Sequence, residues 1–265
     1  MLRNLRNMVK ADADIDPVLA RIADHDAVIK SRQMPFRFYS AYRELVNAGI
    51  ASTKAVRALD AAMIAACENV DRLPGKTAVL IDTSGSMRQA ISAKSTVSCG
   101  EIAAVLGAMA THISDDAWVA KFDYDSKVIP MTGLSVIGDV TMVPISGGCT
   151  NMAAGFAELV KSGFDADRII VLSDNEVNYG GGWYYNHTEF SSNKELIQNC
   201  LAEYRKKVGH DVWCHAIDLQ GYGTAQFMGD KVNIMAGWSD NVLRFISLAE
   251  NGFGGIVKDV EGIVL

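Results

Sequence analysis

Residues 77–87 read TAVLIDTSGSM, and the fold turns on how this stretch is understood. Four apolar residues, Ala78 to Ile81, stop at Asp82 and give way to Thr83, Ser84, Gly85 and Ser86. A short unbroken apolar run that ends in turn residues fits a strand buried on both faces. Downstream, strands and helices alternate. The pattern predicts a helix over 96–114, a strand over 117–122 and an edge strand over 127–130. The loop ISGGCTNM (145–152) then opens a helix over 152–162. A strand over 168–173 runs into Asp174, followed by a helix over 193–207, strands over 212–219 and 232–235, and a helix over 239–250. This order predicts an α/β fold with a doubly wound, mostly parallel sheet. Such sheets collect ligands beyond the carboxyl ends of their strands, where Asp82 and Asp174 fall.

Residues 1–74 read as helical throughout. Asp16-Pro17 and Pro35 are helix starts, Gly49 a stop and Ser52 an N-cap. Short helices on short turns suggest stacked helical repeats. Because Met1 leads directly into a helix, the segment is expected to be the end of a longer stack or an appendage. LPGK (73–76) separates it from an α/β domain over 75–265.

The composition, 49% hydrophobic and 21% charged, is that of a globular protein. No apolar run reaches the ~20 residues of a membrane span, so no membrane role is expected. The first residues lack an apolar signal core. Five cysteines, an odd number without C-x-x-C spacing, read as reduced thiols of a cytoplasmic protein. The five histidines show no zinc spacing. The net charge of −6 divides into +3 over residues 1–76 and −9 over 77–265, so the second part alone is a poor nucleic-acid surface.

Three places bring small oxygen donors to the same predicted rim: Asp82, Ser84 and Ser86; Thr150; and Asp174. Hydroxyl and carboxylate oxygens are hard ligands, suited to Mg²⁺ or another hard divalent cation. Gly85 is expected to permit a sharp bend between the serines. The competing reading makes the serines helix caps and Asp82 a turn residue. Gly75-Lys76-Thr77 imitates the tail of a phosphate loop, but Val70 occupies the position of its first glycine and the triplet precedes its strand. No nucleophile, base and acid fall in a catalytic order, so binding is expected rather than catalysis.

DTSGSM (82–87) with Thr150 and Asp174 resembles the metal-ion-dependent adhesion site of von Willebrand factor A domains. By that likeness Ser84 and Ser86 hold the ion directly. Asp82, Thr150 and Asp174 act directly or through water, and a partner's carboxylate completes the shell. LRNLRNM (2–8), KSRQMPFRFYSAY (30–42) and ALDAA (58–62) resemble the end of a TROVE module, the helical-repeat ring of the Ro autoantigen family; FDYD (122–125), SDNEVN (173–178) and EYRKK (203–207) agree. The resemblance implies a ribonucleoprotein component that binds small non-coding RNA once the remaining repeats are supplied, from a helical-repeat partner chain or the rest of a longer one. Lys30, Arg32, Arg37 and Arg43 are weak candidates for phosphate contact. Asn151 departs from the acid often found beside the threonine. The alternative is a stand-alone metal-dependent protein-binding A domain without RNA.

Overall fold

The computed structural model describes residues 2–92, 95–145, 147–174, 193–221, 227–239 and 241–252. Gly180, Gly181, Gly182, Gly254 and Gly255, and the part of SDNEVN beyond Asp174, lie outside the described residues.

Five helices come first: α1 (Leu5–Lys10), α2 (Asp16–Ile22), α3 (His25–Ser31), α4 (Pro35–Asn47) and α5 (Thr53–Cys67). Their ends follow local chemistry. Pro35 sits in the first turn of α4, and Gly49 lies just past its end in the left-handed region at φ 69°. The Ser52 hydroxyl accepts the Ala55 N–H at 3.2 Å and caps α5.

The α/β part contains β1 (Leu73–Asp82), α6 (Cys99–Ile113), β2 (Ser114–Phe122), β3 (Ser126–Val128), α7 (Val136–Thr141), α8 (Met152–Ser162) and β4 (Arg168–Ser173). It ends with α9 (Asn193–Val208), β5 (Trp213–Asp218), β6 (Val232–Ala236) and α10 (Val242–Glu250). The strands form one sheet in the order β3-β2-β1-β4-β5-β6. All neighbours are parallel except β3, which pairs antiparallel with β2 at the edge. The chain steps from β1 to one side and returns to β4 on the other, so the strand order reverses between β1 and β4. The fold is therefore the doubly wound, mostly parallel α/β sheet of von Willebrand factor A architecture, preceded by a helical segment.

Alternation along β1 sends Val79 and Ile81 to a core shared with α6, and Ala78 and Leu80 to one shared with α8 and α9. All four are 0% exposed, which accounts for the unbroken apolar run. Gly107 lets α6 lie close to the sheet, since a Cβ there would come within 2.7 Å of Ile81 Cδ1.

β1 starts earlier than its composition suggests. Leu73 already pairs with Ser114, and a register irregularity separates it from the Lys76–Asp116 pair. Gly75 and Lys76 donate their N–H groups to Asp115 Oδ2 (2.8 Å) and Asp167 Oδ2 (2.7 Å) at the amino end of the sheet, opposite the oxygen cluster. The phosphate-loop imitation is thus placed at the wrong end of its strand. Helix α7 has no counterpart in the sequence reading, being a six-residue turn capped by Ser135, whose hydroxyl accepts the Gly138 N–H at 2.8 Å.

The helical segment and the α/β part share one core. Leu45, Leu59 and Met63 belong to the same buried cluster as Ile113, Val140 and Ile170. Polar ties reinforce the junction: Asp60 Oδ1 accepts the Ile137 N–H at 2.8 Å, and Phe36 meets Trp238 edge-on with ring centroids 4.5 Å apart.

At the amino end of the sheet the buried Arg168 guanidinium grips Glu250 of α10 through Nε (2.7 Å) and Nη2 (2.8 Å). His215 Nε2 lies 3.0 Å from the same carboxylate. Burial alone would raise the Glu250 carboxyl, but His215 and Arg168 outweigh it and hold the group below its usual 4.5. A depressed folded-state pKa contributes stability that is present above the unfolded value and lost as pH falls through the folded one. Urea titrations of wild type should therefore show this contribution fading below about pH 4.5. Glu250→Ala, which strands the Arg168 charge, should cost about 3–5 kcal/mol at neutral pH and abolish that part of the acid response.

Candidate metal centre

The oxygen cluster lies at the reversal point. Ile81 pairs with Leu172, so Asp82 and Ser173 emerge side by side. Ser173 Oγ donates to Asp82 Oδ2 at 2.5 Å, and the Ser84 N–H donates to Asp82 Oδ1 at 2.8 Å. Asp82, Ser84, Thr150 and Asp174 are buried, and Ser86 is half-buried. The Ser84 and Ser86 hydroxyl oxygens stand 3.1 Å apart.

The loop carrying Thr150 is tied to the loop carrying the serines. Gly85 N–H donates to Gly148 O at 3.1 Å, and Gly147 N–H donates to Thr83 O at 3.0 Å. Thr150 is followed by Asn151, whose side chain accepts the Ala154 N–H at 3.2 Å and caps α8. Asn151 thus has a structural task as the N-cap of α8.

The bend is not made by the glycine the sequence suggested. Gly85 has φ −63° and ψ −35°, values open to any residue, and a Cβ there would only touch Gly148 O at 3.5 Å. Gly147 and Gly148, at φ 82° and 125°, carry the conformations that favour glycine.

The electrostatics follow from burial. Desolvation pushes the Asp82 carboxyl up to about 7, against the hydrogen bonds from Ser173 and Ser84 and with the help of Asp174. Burial and the negative charge of the same Asp174 push the Cys99 thiol up to about 11. Carboxylates so arranged favour a bound cation or a proton.

The donor set fits a hard divalent ion. Adjacent oxygens of an octahedron with metal–oxygen distances of about 2.0–2.1 Å lie roughly 3 Å apart, the spacing of the two serine hydroxyls. Among the described residues no group of three His, Cys, Asp or Glu could hold a metal, so an ion here would depend on hydroxyls. Sequence reasoning missed Ser173, whose hydroxyl orients Asp82. The signal was present as a polar residue ending an apolar strand beside Asp174.

The basic candidates are elsewhere. Lys30, Arg32 and Arg37 are exposed on the helical segment. Arg43 instead faces the α/β part, with Nε 2.5 Å from Glu101 Oε1. Tyr39 is buried and donates its hydroxyl to the same oxygen at 3.2 Å.

The family model of the TROVE domain matches residues 1–57. Residues 1–57 are thus similar in sequence to the TROVE domain. Among solved structures, the Ro (RSR) protein of Deinococcus radiodurans aligns with this chain at a TM-score of 0.64 and 18% identity, covering 92% of this chain and 52% of that one. This chain thus spans about half the length of the Ro structure it matches, and the likeness is one of fold: the TROVE segment and the α/β part align together. An aerotolerance-related membrane protein of Bacteroides fragilis aligns at a TM-score of 0.44 and 13% identity, covering 67% of this chain and 98% of that one. BatB of Bacteroides thetaiotaomicron aligns at 0.42 and 14%, covering 67% and 97%. Comparison with curated proteins gave no match. Among the described residues no helix is long and apolar enough to cross a membrane.

Asp82 yields a pH prediction for protein kept in a chelator. Its raised pKa means that the folded state binds more protons than the unfolded one between about pH 4 and 7, so its contribution falls as pH rises. Asp82→Asn should be more stable than wild type at pH 8, and the difference should shrink toward pH 4. Thermal melts in EDTA across that range check this, and a difference independent of pH would contradict it.

Proposed function

We propose that this chain is a ribonucleoprotein component of the TROVE/Ro type. Its α/β domain holds Mg²⁺ or another hard divalent cation at Asp82, Ser84, Ser86, Thr150 and Asp174, and offers it to a carboxylate from a partner protein. One observation carries the reading: TROVE sequence shares a single core with an A-type domain whose rim sets two serine hydroxyls 3.1 Å apart beside buried carboxylates. Ser84 and Ser86 would contact the ion, Ser173 would keep Asp82 turned toward it, and Asp174 would add charge from β4. The bound ion would supply an electrophilic centre for an incoming carboxylate. Two acids and neutral hydroxyls leave such a centre net electrophilic, which suits binding more than hydrolysis.

RNA enters through the TROVE segment. A cavity of about 900 Å³ on that segment is lined by Arg3, Arg6, Arg21 and Arg37 together with Ile22 and Phe38. Its mixed apolar and cationic lining suits a further helical repeat, with phosphate contacts at the rim. The chain therefore binds small non-coding RNA together with the repeats that complete the ring, supplied by a helical-repeat partner chain or by the remainder of a longer one.

The second reading, a metal-dependent protein-binding domain without RNA, is favoured by the pairing of Arg6 with Glu44 at 2.7 Å and of Arg43 with Glu101.

Filter binding of a structured non-coding RNA to this chain mixed with a helical-repeat partner separates the two. The first reading expects retention that falls steeply between low and moderate salt and drops further with Arg32→Glu and Arg37→Glu. Retention indifferent to both changes leaves the second. For the ion, Mg²⁺ titration calorimetry should show Ser84→Ala, Ser86→Ala and Asp174→Ala each weakening binding at least about tenfold with the circular dichroism spectrum preserved, since apolar strands supply most of the stability. Equal heats for wild type and variants would remove the metal assignment.

A further inference from the structure

At the carboxyl end of β2 the chain buries a charged pair, Lys121 and Asp123, 7% and 4% exposed. Taking two ions out of water costs several kcal/mol each, and apolar replacements are often neutral or stabilising, so stability alone is a weak reason for the pair. The contacts supply a better one. Asp123 Oδ1 accepts from Lys121 Nζ at 3.0 Å and from the Asp125 N–H at 3.2 Å. Lys121 Nζ also pairs with Asp125. The other oxygen, Oδ2, accepts from Thr83 Oγ1 at 3.1 Å. The main-chain oxygen of Asp123 accepts the Asn151 N–H at 2.7 Å. One residue thus grips two loops, at Thr83 next to Ser84 and at Asn151 next to Thr150.

We infer that Asp123, held by Lys121, is a positioning residue that sets the spacing between the Ser84 and Thr150 hydroxyls by anchoring Thr83 and Asn151. This rests on the metal reading above. Lys121 neutralises the aspartate and fixes one oxygen, which leaves the other aimed at Thr83. Thr83 is buried, and its N–H and hydroxyl also reach Phe122 O at 2.8 and 3.3 Å, so the first loop is moored to the carboxyl end of β2. A pair that only stabilised the fold would need no contact with either loop.

A double-mutant cycle on the full chain tests this by Mg²⁺ titration calorimetry, with melting temperatures in EDTA recorded separately as the measure of fold damage. Thr83→Val and Asp123→Ala should each weaken Mg²⁺ binding about tenfold. The double variant should bind no worse than either single one, because the two act through one contact. Thr83→Ser, which keeps the hydroxyl, should restore wild-type affinity. Should Asp123→Ala fail to fold, Lys121→Met takes its place in the same cycle. A wild-type chain that gives no Mg²⁺ heat overturns the metal reading and this inference with it. Wild-type binding with unchanged single variants, or with effects that multiply in the double, overturns the inference alone.

Discussion

The in-register pairing of β1 with β4 is the constraint on which the rest of the molecule depends. A sheet covered on both faces leaves no room for unpaired polar groups along its strands, so polarity is driven to the strand ends. At the carboxyl end, the pairing sets Asp82 beside Ser173 and brings Asp174 close to both. At the amino end it sets Arg168 beside Thr77, whose hydroxyl oxygen accepts from Arg168 Nη1 at 3.0 Å and from Ser114 Oγ at 2.8 Å. The two ends differ in kind. The amino end closes on itself, guanidinium against the Glu250 carboxylate. The carboxyl end gathers acids and hydroxyls, and that asymmetry makes the two ends of the sheet chemically distinct.

A second constraint joins the carboxyl end to the TROVE segment. Glu101 completes the capping box of α6, its Oε2 accepting the Ser98 N–H at 2.9 Å. Its Oε1 faces Arg43 and Tyr39 of α4. The helix that follows the serine loop is therefore capped by a residue that also holds the helical segment. Desolvation and the neighbouring Glu101 carboxylate push the Tyr39 hydroxyl far above its ordinary range, so it remains a neutral donor at any physiological pH. With a shared apolar core beneath these polar ties, the helical segment is docked on the α/β part rather than strung from it.

Much of this was legible beforehand because it rests on short-range chemistry. Ala78 to Ile81 fit a doubly buried strand, Pro35, Gly49 and Ser52 punctuate helices by their own backbone preferences, and Asp82, Ser84 and Ser86 mark a polar turn at the strand end. Where short-range reasoning assigned the bend to Gly85, it failed for an instructive reason. A glycine beside the donors looks like the hinge, yet the left-handed conformations fall at Gly147 and Gly148 in the facing loop. Lys121 and Asp123 were likewise opaque, since FDYD says nothing of which loops its carboxylate will reach.

The sequence by itself determined the order of most strands and helices, several helix ends and the residue types gathered at strand ends, because propensity, capping and alternation act over a few residues. Only the tertiary structure decided that β4 returns beside β1, that Ser173 turns Asp82, that Asp123 ties two distant loops, and that Arg43 is engaged by Glu101. Those outcomes depend on groups brought together from up to 91 positions apart, and no local preference encodes which of them will meet.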